Sequence, residues 1–80
     1  MNAERGKRSI EDTVKTFGRL RVGRVYAIWP RTNTASGPAG VFKITGLFLD
    51  IYGQPAFQII DGGLETAWGI DYYNFKRIRL

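Results

Sequence analysis

Histidine and cysteine are both absent from this chain. Their absence removes the commonest general base, the commonest metal ligand and the best nucleophile. No disulfide or thiolate metal site can support the fold, which fits a reducing compartment. Carboxylates are few: Glu4, Glu11, Asp12, Asp50, Asp61, Glu65 and Asp71. Only Glu11 and Asp12 are close in sequence, and no paired acid–base spacing appears. There is no P-loop, no dinucleotide-binding glycine pattern and no calcium loop. The expectation is a protein that is not an enzyme and needs no cofactor or metal. Long apolar runs are missing too. No stretch approaches the ~20 residues of a membrane span, and the charged start leads into no signal-peptide core. A cytoplasmic protein without a membrane partner is expected.

What is present is one small domain's worth of apolar material. Of 80 residues, 44% are hydrophobic and 14% aromatic, too many for a disordered chain. The net charge of +5 is unevenly placed. Residues 1–24 hold seven basic and three acidic side chains. Residues 32–75 hold one basic side chain, Lys43, against four acidic ones. Lys76, Arg77 and Arg79 then close the chain. If the two ends meet in space, as termini of small domains often do, they form one positive patch.

Residues 1–8 are polar and unpatterned and read as a mobile basic arm, ahead of a single domain over 9–80. Ser9 is a good helix N-cap with Asp12 at the capping-box position. A short helix is expected over 9–17, docking through Ile10, Val14 and Phe17 at i, i+4 and i+7, with Gly18 as its C-cap. From residue 19 the pattern is strand and turn. Arg19–Trp29 reads as a first strand, with Leu20 and Val22 inward and Arg19 and Arg21 outward. Residues 31–40 form a long loop. Val41–Tyr52 is the second strand, with a parity change at Gly46 that predicts a β-bulge or sharp bend. Its inward set is Phe42 and Ile44 before the change, then Leu47, Leu49 and Ile51. Ala56–Asp61 and a strand carrying Leu64, Thr66, Trp68 and Ile70 flank Gly62-Gly63, a tight hairpin turn. Residues 71–75 suggest a 3₁₀ turn, and Lys76–Leu80 a last strand with Ile78 and Leu80 inward. Trp68 is assigned to the core, and one of Tyr72 and Tyr73 is expected to be buried.

The segment Trp68-Gly69-Ile70-Asp71-Tyr72-Tyr73-Asn74-Phe75-Lys76-Arg77-Ile78 resembles the last strand pair of SH3-like domains, where an apolar strand passes through a 3₁₀ turn into a short strand. The layout of residues 19–80 is similar as well. The resemblance implies a mostly β fold: a five-stranded SH3-like antiparallel barrel with a short N-terminal helix. Peptide binding of the true SH3 kind would need acidic residues in the first loop, and residues 31–40 have none. One reductase family with SH3-like barrels carries a glutamine-containing strand near its C-terminus. That strand is not matched here, where the chain reads Ala67-Trp68-Gly69-Ile70-Asp71-Tyr72. The remaining hosts of the fold include nucleic-acid readers and small phage or mobile-element proteins, so fold alone fixes no function.

Basic residues interleaved with aromatics carry the functional content. Arg19, Arg21, Arg24 and Arg31 along the first strand, with Lys76, Arg77 and Arg79 at the end, are candidate phosphate contacts. Trp29 is a candidate stacking platform. The expected partner is nucleic acid. The alternative is a protein–protein interaction module, or a small inhibitor, that covers an acidic protein surface.

Overall fold

The computed structural model describes residues 7–32 and 37–79. The order of elements is α1 (Ile10–Arg19), β1 (Val25–Pro30), β2 (Gly40–Leu49), β3 (Pro55–Asp61), β4 (Leu64–Gly69), a 3₁₀ turn (Ile70–Tyr72) and β5 (Tyr73–Arg77). The five strands form one antiparallel sheet in the order β4-β3-β2-β1-β5. β2 is the element both halves share. Its first residues pair with β1, Val25 opposite Lys43. Its later residues pair with β3, Phe57 opposite Leu47. The register shifts between Ile44 and Gly46, where the parity change falls. Gly46 sits against the Gln58 side chain, and a Cβ there would lie 3.0 Å from Gln58 Oε1. The missing side chain therefore lets β2 bend and β3 approach.

The β3–β4 hairpin closes in two residues, with Asp61 opposite Leu64. Gly62 and Gly63 both take positive φ, 61° and 86°, the requirement of a type I′ turn. The fold so produced wraps a core of Leu20, Tyr26, Ile28, Ile44, Phe57, Ile59, Ile70 and Tyr73. Phe57 is its centre. Its ring meets Tyr73 edge-on at 5.6 Å and Phe75 at 5.0 Å. Burial raises the pKa of the Tyr73 phenol above its ordinary value, so the ring stays neutral.

Several sequence expectations are corrected. Trp68 is half-buried at the rim of the core rather than inside it. It meets Tyr73 edge-on at 6.2 Å, with its indole N–H on Thr66 Oγ1. Leu49 and Ile51 are exposed because β2 ends at Leu49 and the chain turns there. Asp50 Oδ1 pins that turn by accepting from the Tyr52 and Gln54 N–H groups. The last strand begins at Tyr73 rather than Lys76. Tyr73 and Phe75 therefore supply the inward face, Ile78 is only half-buried, and Leu80 lies outside the described residues. Tyr73 is buried and Tyr72 exposed, so one tyrosine of the pair faces each way.

The helix caps as expected, with Ser9 Oγ accepting from the Asp12 N–H at 3.1 Å. It runs past Gly18 to Arg19 and is capped by Leu20, whose N–H donates to Thr16 O. Its docked face differs from the expected one. Ile10 and Val14 are exposed, 85% and 57%, while Thr13 and Thr16 are buried. Thr13, Thr16, Phe17 and Leu20 stand at i, i+3, i+4 and i+7, a complete helical face once the threonine methyls count as apolar. Small side chains suit this contact because the preceding residues hold the helix close to the 3₁₀ turn. The Arg8 N–H donates to Asp71 O at 2.7 Å, and Lys7 Nζ lies 3.8 Å from Asp71. Of the arm expected over 1–8, residues 1–6 fall outside the described residues, and Arg8 is held within the fold.

A prediction follows from that rotation. Ile10→Lys and Val14→Lys should change stability by no more than about 0.5 kcal/mol, as exposed positions do. Thr13→Lys, which forces a long charged side chain into a buried contact, should cost about 2 kcal/mol or more. Thermal denaturation of the three variants checks this, and a large loss for Val14→Lys with a small one for Thr13→Lys would contradict the docked face.

Candidate functional site

The loop between α1 and β1 is where the basic residues gather. Arg19 ends the helix, next to the negative end of its dipole. Arg21 follows and caps the same end, its Nη1 donating to Gly18 O at 2.6 Å and Leu20 O at 2.8 Å. Its own N–H donates to the Tyr26 hydroxyl at 3.0 Å. The chain then turns at Gly23, φ 89°. The Gly23 N–H donates to Ile44 O at 2.8 Å, and the Ile44 N–H donates to Arg24 O at 3.0 Å. Arg19, Arg21 and Arg24 are thus not on a strand, as the sequence pattern suggests. They lie on a helix end and a turn stitched to β2 at its bend. A strand needs alternation, and here the alternation of Leu20 and Val22 is accidental: Leu20 is buried while Val22 is 57% exposed.

β5 brings the other end of the chain to the same place. Arg77 lies opposite Tyr26 in the β1–β5 register, and Phe75 lies opposite Ile28. Residues two apart share a face of a strand, so Phe75 and Arg77 stand together. The result is a hollow of about 310 Å³. Leu20, Tyr26 and Phe75 contribute its apolar lining. The Tyr26 and Phe75 rings meet edge-on at 6.5 Å. Five arginines surround it: Arg8, Arg19, Arg21, Arg24 and Arg77. Thr16 completes the lining, and no carboxylate of the described residues takes part. Arg24 and Arg77 also line a second hollow, with Arg79, Gly23, Val25 and Ile78. The two depressions adjoin through that shared pair, and a track of six arginines runs across them.

Most of these guanidiniums are not engaged by the fold. Arg19, Arg24 and Arg77 have no side-chain hydrogen bond or ion pair among the described residues. Arg21, which caps the helix, and Arg8 are the exceptions. Arg8 is mostly buried, with Nη1 at 2.9 Å from Asp12 Oδ2 and Nη2 donating to Tyr73 O at 2.7 Å. Its Nε–H and the hydroxyl of Thr16 are buried and have no partner among the described residues. A buried polar group without a partner costs roughly 1–3 kcal/mol, so two such groups at one hollow are unusual.

Of the eight sequence candidates, the structure brings Arg19, Arg21, Arg24 and Arg77 to the hollow and Arg79 beside it. Lys76 is exposed on the opposite face of β5, across from Ala27. Trp29 and Arg31 stand at the far end of β1, about 16 Å of strand from Tyr26 to Arg31. There the Arg31 N–H donates to Tyr72 O at 2.9 Å, and Trp29 pairs with Asn74. Arg8 was assigned to a mobile arm, and Thr16 was not singled out. The signal for Thr16 was its place on the helical face with Leu20. The one sequence signal for Arg8 is Asp12 four positions on.

No protein-family model, no curated protein and no solved structure matches this chain. No helix of the described residues is long and apolar enough to cross a membrane. No cluster of carboxylates among them could hold a metal ion.

Proposed function

We propose that this protein is a non-catalytic binding module for an anionic partner, nucleic acid, which it holds by phosphate contacts along the arginine track. One observation carries the reading: Arg19, Arg21, Arg24, Arg77 and Arg79, from opposite ends of the chain, converge on two adjoining hollows with no carboxylate side chain of the described residues in either lining. Guanidiniums gathered without counter-charges repel one another. A fold that keeps them together is arranged for a negative ligand, because charge for solubility alone would be dispersed. Arginine also suits phosphate geometrically, since its planar fork donates two parallel hydrogen bonds. Nothing in the lining offers a pattern for reading base edges, so sequence preference should be weak.

The scaffold is read as an SH3-like barrel. The strand order, the β2 shared between two half-sheets, and the 3₁₀ turn between β4 and β5 support it. In that reading α1 covers one open end, and the track lies along the seam between helix and barrel.

Salt dependence tests the function. With about four phosphates neutralised, affinity for DNA or RNA should fall about 50–150-fold between 50 and 200 mM salt. A polarisation titration on single- and double-stranded oligonucleotides reads this directly. The rival reading, a module docking on a protein, draws on Ile10 and Val14, which are exposed beside a smaller hollow formed with Gln54 and Pro55. An apolar contact of that kind would be nearly indifferent to salt. Absence of binding to any nucleic acid at micromolar protein in low salt would favour it.

A further inference from the structure

Resting on that reading, we infer that the hollow lined by Arg19, Tyr26 and Phe75 is built for a phosphate monoester: the terminal phosphate of a nucleic-acid strand or of a free nucleotide, rather than a phosphate within a chain. The inference starts from shape. The hollow is concave and measures about 310 Å³, at the lower end of the range of small-ligand pockets and many times a water's share of volume. A phosphate inside a strand is flanked on both sides by sugars and meets a protein best on a ridge or open groove. A terminal phosphate has one free end and can enter a hollow end-on, leaving its sugar and base at the mouth. Leu20, Tyr26 and Phe75 supply an apolar lining that a nucleoside can touch.

Charge and hydrogen-bonding capacity point the same way. A diester carries one negative charge and two free oxygens. A monoester carries about −1.5 to −2 near neutral pH and three strongly accepting oxygens. The lining offers far more than one diester can use. Arg19, Arg24 and Arg77 have no polar side-chain partner among the described residues. Three guanidiniums left unpaired around one concave hollow are those that the oxygens of a doubly charged phosphate would engage.

The adjoining hollow then has a different task. Arg24, Arg77 and Arg79 would take the next phosphate of a strand whose end sits in the first hollow. A strand end is therefore held at two points and a free nucleotide at one.

The test uses the full chain and a labelled single-stranded oligonucleotide in three forms: phosphorylated at its 5′ end, at its 3′ end, or at neither. Fluorescence polarisation at low salt should show about tenfold or tighter binding for one phosphorylated form over the unphosphorylated strand, the size of one added charge-assisted contact. A nucleoside monophosphate should compete, and the matching nucleoside should not. Arg19→Gln removes an exposed, unpaired guanidinium that lines this hollow and not the adjoining one. It should fold about as stably as the parent, yet lose most of the preference for the phosphorylated end. Equal affinity for all three strands would overturn the inference while leaving phosphate-track binding intact. Binding of the mononucleotide without binding of any strand would support the monoester hollow and overturn the nucleic-acid reading. Binding of none of these ligands would overturn both.

Discussion

Arg24→Glu combined with Arg77→Glu is expected to reduce nucleic-acid binding by about 100-fold or more at low salt while leaving the fold intact. These two side chains are the ones the adjoining hollows share. Reversing both replaces two attractions with two repulsions at the middle of the track, and each lost phosphate contact also removes its share of counterion release. The salt slope should flatten by about two contacts' worth. The fold should tolerate the change, because both residues are exposed and neither makes a side-chain hydrogen bond or ion pair among the described residues. Arg21 is a poor choice for the same experiment, since its guanidinium caps the helix on Gly18 O and Leu20 O. Its reversal would confuse unfolding with loss of binding. Lys76→Glu is the informative control. It changes the net charge as each single reversal does, but on the opposite face of β5. It should change affinity by less than about threefold at moderate salt, where distant charges are screened. If Lys76→Glu proved as damaging as Arg24→Glu, binding would follow net charge rather than the hollow.

The sequence showed the convergence of basic ends more clearly than the means by which it happens. Charge segregation can be read by counting, and the closeness of the ends is a general property of small domains. The bulge at Gly46 and the Gly62-Gly63 turn were legible because glycine marks backbone conformations that other residues avoid. The assignment of Arg19–Arg24 to a strand failed because alternation over four residues cannot be told from a helix end followed by a turn. The docked face of α1 was misjudged because threonine was counted as polar, although it can bury its methyl and bond its hydroxyl to the preceding turn. Thr13 does so, its Oγ1 donating to Ser9 O at 2.8 Å. Arg8 shows in the sequence only through Asp12, four positions on, with which its Nη1 pairs. Its other acceptors, Asp71 O and Tyr73 O, are backbone groups more than sixty positions away, and backbone acceptors leave no trace in a sequence.

Phe57→Ala should unfold the protein under mild conditions. Phe57 is fully buried and touches both halves of the sheet. It lies on β3, opposite Leu47 on β2 and Trp68 on β4, and its ring packs edge-on against Tyr73 and Phe75 of β5. Removing the ring deletes both aromatic contacts and leaves a cavity in the middle of the core. Such truncations cost about 3–5 kcal/mol. A chain of this size holds roughly 4–12 kcal/mol in all, so the variant keeps a small remainder or none. At about 4–8 °C per kcal/mol, the melting temperature should fall by about 12–40 °C. Trp68→Ala removes a larger side chain but should cost less, about 1–3 kcal/mol, because Trp68 is half-buried at the rim and its indole N–H bonds only Thr66 of its own strand. The order of the two losses, read by circular dichroism during thermal and urea denaturation, is what decides. A greater loss for Trp68→Ala than for Phe57→Ala would place the core on β4, where the alternation of Leu64, Thr66, Trp68 and Ile70 alone would put it.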